Sequence, residues 1–265
     1  MASPYLYSAA LYYFMRRTTI SHFSFLISNS RKAFIHNQWT EPPYGLPLNL
    51  FFQGAFMFDF LDLSSLIYRA PALLIALSMH EYAHAAVSDA MGDPTPSRMG
   101  RLTINPMAHL DMMGTLLLVL CGFGWAKPVD IDPRYYKNYR MGMLKVSFAG
   151  PGMNLFLVFL SLLLITILGR IGMLGDGGFY FLQWIMMYNV WFAFFNLIPI
   201  PPLDGSKIIS TVLPGELAWK FENFNARYGF VILMLIVFSG WVNRIIGPLA
   251  QGYVNLCYAA LRVVF

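Results

Sequence analysis

Two histidines and a glutamate stand together in an apolar run, LSMHEYAHAAV at residues 77–87. His80 and His84 are four residues apart, so on a helix they share a face and could bind one metal ion. Neutral imidazole suits Zn²⁺, whose catalytic sites take three protein ligands and keep one position for water. Glu81 follows the first histidine and could act on that water as a general base. The alternative is a polar cluster satisfied by neighbouring helices, but ionisable groups at membrane depth are usually functional.

A third zinc ligand has to come from another part of the chain, where acidic residues are few. Asp204 stands out because it ends a long uncharged run, residues 178–203, and is followed by Gly205. Prolines just before it break the helix, so the freed backbone groups must line a buried or watery cavity. Asp204 could instead be the N-cap of a helix that begins near Ser206. The other downstream acids considered as ligands are Asp111, Asp130, Asp132, Glu216 and Glu222.

The elements that must position these residues are predicted to be membrane helices. Hydrophobic residues make up 57% of the 265-residue chain and charged residues 12%, with a mean hydropathy of +0.55. Soluble domains carry about twice that charged fraction. Mostly apolar runs occupy residues 66–87, 146–168 and 178–203. Each is long enough to cross a bilayer, which takes roughly 20 residues.

Weaker signals complete the predicted topology. Residues 228–243 and 245–261 are shorter apolar runs split by Arg244, which suits either two spans or one span and an interfacial helix. Residues 112–126 are short and punctuated by glycine, which suits a re-entrant or half-depth segment as well as a full span. The predicted fold is an all-α polytopic membrane protein with about 4–6 transmembrane helices and irregular cytoplasmic loops.

The distribution of basic residues orients the predicted spans. Lys and Arg concentrate between residues 91 and 145 and return after residue 203, so these segments are expected in the cytoplasm if residues 112–126 do not cross the membrane fully. This scheme places the ends of runs 66–87 and 178–203 on the same side, and Asp204 is therefore expected near the two histidines.

The same composition excludes other classes of function. The basic residues are scattered and form no stripe, which argues against nucleic-acid binding despite a net charge of +5. Cys121 and Cys257 both lie in apolar segments and form no CxxC pair. Neither a disulfide framework nor a cysteine zinc site is therefore expected.

The two motifs together resemble the site-2 protease family of intramembrane zinc metalloproteases. The family pattern is HExxH followed by an N-x-x-P-x-x-x-x-D-G motif, and HEYAH and NLIPIPPLDG at residues 196–205 match it in register. Residues 92–115, GWAKPV at 124–129 and AGPGMNL at 149–155 also resemble the compact bacterial-type branch, without a PDZ or CBS domain. The resemblance runs from about residue 57 to about residue 210.

The resemblance implies a function and a site. It implies one zinc ion on His80, His84 and Asp204, with Glu81 as the base, in an enzyme that cleaves peptide bonds in or next to the transmembrane helix of a membrane protein. It also implies a multi-pass protein of the cell membrane with its active site toward the cytoplasm. The division of the chain is an N-terminal extension, peripheral or poorly ordered, at residues 1–56, a metalloprotease core at 57–225 and C-terminal membrane helices at 226–265.

Three further polar residues are secondary candidates. Asn154 and Asn196 could hold the substrate backbone or a developing oxyanion, or could make structural hydrogen bonds between helices. His109 could support the transition state, although a surface-loop histidine paired with Asp111 is the favoured interpretation.

Two rival functions remain open at this stage. One is a membrane zinc protease whose third ligand is a glutamate, either Glu216 or Glu222. The other is a non-enzymatic metal-binding membrane protein or transporter, in which Glu81 would be dispensable. The absence of a repeated half-structure argues mildly against transport.

Overall fold

The computed structural model describes residues 63–114, 126–239 and 241–264, and most of this part is helical. The helices are α1 (Leu63–Ala90), α2 (Thr95–Arg98), α3 (Tyr139–Arg170), α4 (Asp176–Asn196), α5 (Asp204–Val212), α6 (Gly215–Phe238) and α7 (Trp241–Val264). Two single 3₁₀ turns, Pro106–Ala108 and Pro133–Tyr135, lie in the connection between α2 and α3. No strand occurs in these ranges apart from one isolated bridge between Leu110 and Ala126. The predicted all-α class is confirmed for them.

Helix α3 is the described helix that could span a membrane. It has 32 residues and a windowed mean hydropathy of 2.3, and it alone among the described helices is long and apolar enough to cross a membrane. The number of membrane spans therefore stays a prediction.

The core forms where α1, α3 and α4 pack against one another. Ala72 and Ala76 on α1 are fully buried, and small residues at this spacing let helix backbones approach closely. They pack against Ile165 of α3 and Leu182 of α4 in one apolar cluster. A second cluster joins the other side of α3 and α4 to α7 through Val158, Met186, Val190, Ile246 and Ala250. Helix α3 thus lies between the others and can present its backbone to α1.

The segment after α4 corrects one prediction. The predicted span at 178–203 is helical only to Asn196, because the prolines that follow cannot continue a helix. The chain turns there, with a cis peptide between Pro201 and Pro202, and enters α5 at Asp204. Leu203 occupies the N-cap position, and no side chain makes a cap hydrogen bond. The alternative role of Asp204 as an N-cap is therefore wrong.

The C-terminal helices correct a second prediction, the split of their apolar runs at Arg244. Helix α6 ends at Phe238 and α7 begins at Trp241, so Arg244 lies inside α7 and does not separate the two helices. Arg244 is exposed within α7, so the helix accommodates its charge on the outer face. The extension at 1–56, Cys121 and most of the segment 112–126 lie outside the described residues. The boundary between residues 225 and 226 falls within α6 and stays a prediction from the sequence.

Candidate metal centre

The two histidines of the HEYAH motif face Asp204 in the interior of the helix packing. The Nε2 atoms of His80 and His84 lie 3.1 Å apart, and each lies 3.1 Å from Oδ2 of Asp204. All three side chains are buried. Helix α1 supplies both histidines from one face, and the proline-rich turn after α4 delivers Asp204 to the same point. Within the described residues, these side chains form a group that could hold a metal ion.

The outer nitrogens of both imidazoles have partners that fix their protonation. Nδ1 of His80 lies 2.6 Å from Oδ1 of Asn154, and Nδ1 of His84 lies 2.7 Å from the carbonyl oxygen of Val146. Both partners are acceptors, so each Nδ1 carries the proton and each Nε2 keeps its lone pair. Two lone pairs and a carboxylate oxygen therefore converge, which is unfavourable in a buried site unless a cation lies between them.

This donor set fits zinc. Imidazole nitrogen and carboxylate oxygen are common zinc ligands, and three of them with one open position describe a catalytic site. With zinc–ligand distances of about 2.0–2.1 Å, neighbouring atoms of a tetrahedral site lie about 3.3–3.4 Å apart. The observed spacing of 3.1 Å is close to that value.

Glycine at two positions allows this close assembly. A Cβ atom on Gly150 of α3 would lie 2.6 Å from Nε2 of His80 and still closer to Nε2 of His84. A Cβ atom on Gly205 would lie 2.5 Å from the carbonyl oxygen of Ile198, which is backbone and cannot move aside easily. The first glycine lets α3 touch both imidazoles, and the second lets α5, which begins with Asp204, pack onto the turn before it.

Glu81 lies beside the metal ligands in an open cleft. The cleft encloses about 490 Å³, its mouth included, and is lined by the three ligand residues, Glu81, Pro128, Val129, Ile131, Val146, Ser147, Asn196, Pro202 and Lys207. Oε2 of Glu81 accepts a hydrogen bond of 3.0 Å from the backbone N–H of Val129. Its other oxygen, Oε1, has no donor within the described part of the chain and is available to a water or a substrate.

Val129 belongs to a segment that crosses the cleft, residues 127–132, here called the strap. At one end the N–H of Lys127 donates to the carbonyl of His109 (2.8 Å), and at the other the N–H of Asp132 donates to Oδ2 of Asp93 (2.7 Å). Asp93 is fully buried and also accepts hydrogen bonds from Ser88 and from the N–H of Thr95. Burial favours the neutral acid, but these hydrogen bonds outweigh it and hold the pKa of Asp93 below its usual value.

The secondary candidates take different places. Asn154 is fully buried behind His80 and does not line the cleft, so its contact is the structural kind that the sequence left open. Asn196 does line the cleft, while its Nδ2 donates to the carbonyl of Phe192. His109 is only 1% exposed and its Nε2 donates to the carbonyl of Thr103, so its prediction as a surface histidine is wrong. Asp111 accepts a hydrogen bond from the N–H of Gly114 instead of pairing with His109.

The glutamates that might have replaced Asp204 lie elsewhere. Glu216 is exposed and pairs with Lys220 at 2.6 Å, four residues along α6. Glu222 is also exposed. Neither belongs to the ligand group, which argues against a glutamate third ligand.

Sequence reasoning missed several residues of the site. Lys207 lines the cleft with its Nζ 3.3 Å from Oδ1 of Asp204, the oxygen that faces away from the histidines. A basic residue three positions after the acid on a helix was the available signal. Val129 acts through its backbone, which no residue type reveals. Asn189 contacts Asn154 from α4, and its only signal was an amide in the middle of an apolar helix.

Comparisons with known proteins identify metalloprotease relatives of this chain. The profile of peptidase family M50 matches residues 171–236, which include Asp204. YwhC of Bacillus subtilis, named as a candidate zinc metalloprotease, is 36% identical over 198 residues, covering 72% of this chain and 90% of the relative. Rip2 of Mycolicibacterium smegmatis, named likewise, is 27% identical over 183 residues, covering 64% of this chain and 66% of the relative. No solved structure gives a significant match.

Proposed function

The chain belongs to peptidase family M50, the site-2 protease family, and is a zinc metalloprotease, and we propose that it cleaves peptide bonds within or beside transmembrane segments of membrane proteins. The observation that carries this proposal is the convergence of His80, His84 and Asp204 next to α3, the described helix that is long and apolar enough to cross a membrane. A hydrolytic centre at that place faces substrates that are themselves apolar helices.

We assign the ligand atoms of a single zinc ion as Nε2 of His80, Nε2 of His84 and Oδ2 of Asp204. When bound, zinc would lower the pKa of the attacking water and polarise the scissile carbonyl. Glu81 takes a proton from the attacking water at Oε1 and later gives it to the leaving amine. The N–H of Val129 keeps the carboxylate in place during both transfers, because it holds Oε2 in a hydrogen bond.

Two other groups in the cleft are placed to act, one on the ligand Asp204 and one on the substrate. The Lys207 ammonium neutralises Oδ1 of Asp204, which favours binding of the metal through Oδ2 alone. Asn196 brings an amide to the cleft wall, where it can contact the substrate backbone. The proposed setting is a multi-pass protein of the cell membrane with the cleft toward the cytoplasm, since the basic loops flank it.

A non-enzymatic metal-binding protein or transporter is the competing function. It would need the ligands but not Glu81, whose carboxylate lies outside the ligand group. The free Oε1 of Glu81 beside the metal ligands supports the enzyme instead.

Paired substitutions separate the base from the ligand. Glu81→Gln keeps the shape of the side chain but cannot take a proton, so we expect about one zinc per chain and no cleavage. Asp204→Asn removes the anionic ligand, so we expect both zinc and cleavage to be lost. Metal analysis of the purified proteins measures the zinc, with Glu216→Gln as a matched control that retains it.

Cleavage is measured by comparing the membrane proteomes of cells that express the wild type or Glu81→Gln. A single-span membrane protein that accumulates only with Glu81→Gln is the expected result. Identical membrane proteomes would contradict the protease proposal, and full zinc in Asp204→Asn would contradict the ligand assignment.

A further inference from the structure

A chain of two buried amides connects the metal ligand His80 to helix α4. Nδ1 of His80 lies 2.6 Å from Oδ1 of Asn154 on α3, and Nδ2 of Asn154 donates to Oδ1 of Asn189 on α4 at 2.7 Å. Nδ2 of Asn189 donates in turn to the carbonyl oxygen of Ile185, also at 2.7 Å. Both asparagines are fully buried.

The hydrogen bonds of this relay have one direction. Nδ2 of Asn154 also reaches the carbonyl of Ala76 at 3.1 Å, so both of its neighbours on that side are acceptors. A rotated Asn154 amide would turn its oxygen toward them and leave those bonds unmade. The carbonyl of Ile185 fixes the orientation of Asn189 for the same reason. Each group donates to the next, from His80 to the backbone of α4, and Nε2 of His80 is left free for the metal.

The relay joins the two parts of the chain that supply ligands. His80 and the carbonyl of Ala76 both lie on α1. The hydrogen bond to Ala76 therefore links Asn154 only to the helix that already carries the histidine. Asn189 lies on α4, and the turn at the end of α4 leads directly to Asp204. A hydrogen bond to Asn189 therefore ties the orientation of the His80 ring to the helix that delivers the third ligand.

We propose that Asn189 is a positioning residue of the zinc centre, which acts through Asn154 to hold the His80 ring in its metal-binding orientation. This inference depends on the zinc ligands and not on the substrate. Groups that hydrogen-bond to a metal-ligating histidine commonly contribute about 10–100-fold to metal affinity. Asn189 lies one amide further out, and it exerts its effect only while Asn154 is present.

Zinc affinity of purified full-length protein in detergent tests the proposal by competition with a chelator. We expect Asn189→Leu and Asn154→Leu each to weaken zinc binding by about 10-fold or more. The double variant should bind zinc no more weakly than Asn154→Leu alone, because the outer amide has nothing left to act on. Gln183→Met is the matched control, since Gln183 is a buried amide on the same helix outside the relay, and we expect it to leave zinc affinity unchanged.

A further variant separates positioning from packing. Asn189→Asp keeps the shape and an acceptor oxygen for Asn154, and as the neutral acid that burial favours it also keeps a donor for the carbonyl of Ile185. Its zinc affinity should therefore lie closer to the wild type than that of Asn189→Leu. Thermal unfolding of the metal-free proteins shows whether each variant is folded, and the Asp variant carries the test if the Leu variant is not. Wild-type zinc affinity in Asn189→Leu would overturn the proposal. A loss of zinc affinity in the double variant equal to the combined losses of Asn189→Leu and Asn154→Leu would also overturn it. So would a zinc affinity in Asn189→Asp as low as that in Asn189→Leu. None of these results depends on whether a peptide is cleaved.

Discussion

At the residue scale, Gly150 sets how closely α3 approaches the metal ligands. Its missing side chain leaves the backbone of α3 against both imidazoles. Asn154, four residues later on the same helix, then reaches Nδ1 of His80. Val146, one turn earlier, offers its carbonyl to His84. Helix α3 thus contacts both imidazole rings, and this close approach requires that residue 150 has no side chain larger than hydrogen.

Gly150→Ala is expected to disrupt the metal site while leaving most of the fold intact. The added methyl group would lie 2.6 Å from Nε2 of His80, far inside van der Waals contact, so the rings must move away from Asp204. Overpacking of this kind costs about 1–3 kcal/mol in folding stability, and the displaced ligands should lower zinc affinity by at least 10-fold.

Gly152→Ala is a suitable control, because a methyl group there meets open space on the same helix. Chelator competition and thermal unfolding measure the two effects. Equal zinc affinity in the two alanine variants would contradict the role given to Gly150.

The sequence predicts some of these residues and not others, for physical reasons. HEYAH is readable because a spacing of four is the period of a helix, and Asp204 is readable because a lone acid after an uncharged run has to have a partner. The contact between Asn154 and Asn189 depends on the relative rotation of α3 and α4, which packing decides. His109 was misjudged because its burial results from how the loops fold over it and not from its neighbours in sequence.

At the element scale, the strap is a loop that forms part of the candidate active site. It is pinned by backbone hydrogen bonds to His109 and Asp93 on either side of Val129, and its middle donates to Glu81. The buried carboxylate of Asp93 links the strap to the end of α1 through Ser88. Glu81 lies on α1, and the strap that holds its carboxylate is linked to the same helix.

Val129→Pro tests the strap because proline has no backbone N–H. We expect it to lower kcat by an order of magnitude or more while zinc binding is retained, since Glu81 loses the group that orients it and none of the ligands changes. Val129→Ala keeps the N–H and is the matched control, with activity near that of the wild type. Cleavage of the substrate identified with Glu81→Gln provides the assay, and equal rates for the Pro and Ala variants would show that the hydrogen bond to Glu81 has no role.

At the scale of the whole molecule, three helices and two connections make the centre. Helices α1, α3 and α4 pack together, while the turn after α4 and the strap close the site from one end. The helical class followed from composition and apolar runs. The exact ends did not, because prolines cut α4 short, and an exposed charge in α7 was tolerated where a break was expected.

The proposed topology can be tested with reporters inserted in loops. The turn at Gly172, between α3 and α4, should lie on the side of the membrane opposite the connection near Lys137, because α3 separates them and the basic residues favour the cytoplasm for the latter. An enzyme active only outside the cytoplasm should work at residue 172 and fail at residue 137, and a fluorescent protein that folds only inside should show the reverse. The same signal at both positions would mean that α3 does not cross the membrane.

The burial of the three ligand side chains beside Glu81 has a consequence for the proposed substrate, a transmembrane helix. A carbonyl in a helix is bonded to the N–H four residues on, so it can enter the zinc position beside Glu81 only after that stretch has unwound. Glycine disfavours a helix by about 1 kcal/mol and proline by about 3 kcal/mol, which makes such residues near the scissile bond an advantage. Selection among membrane proteins would then follow the local helix–coil equilibrium of each segment, more than the shape of any one side chain.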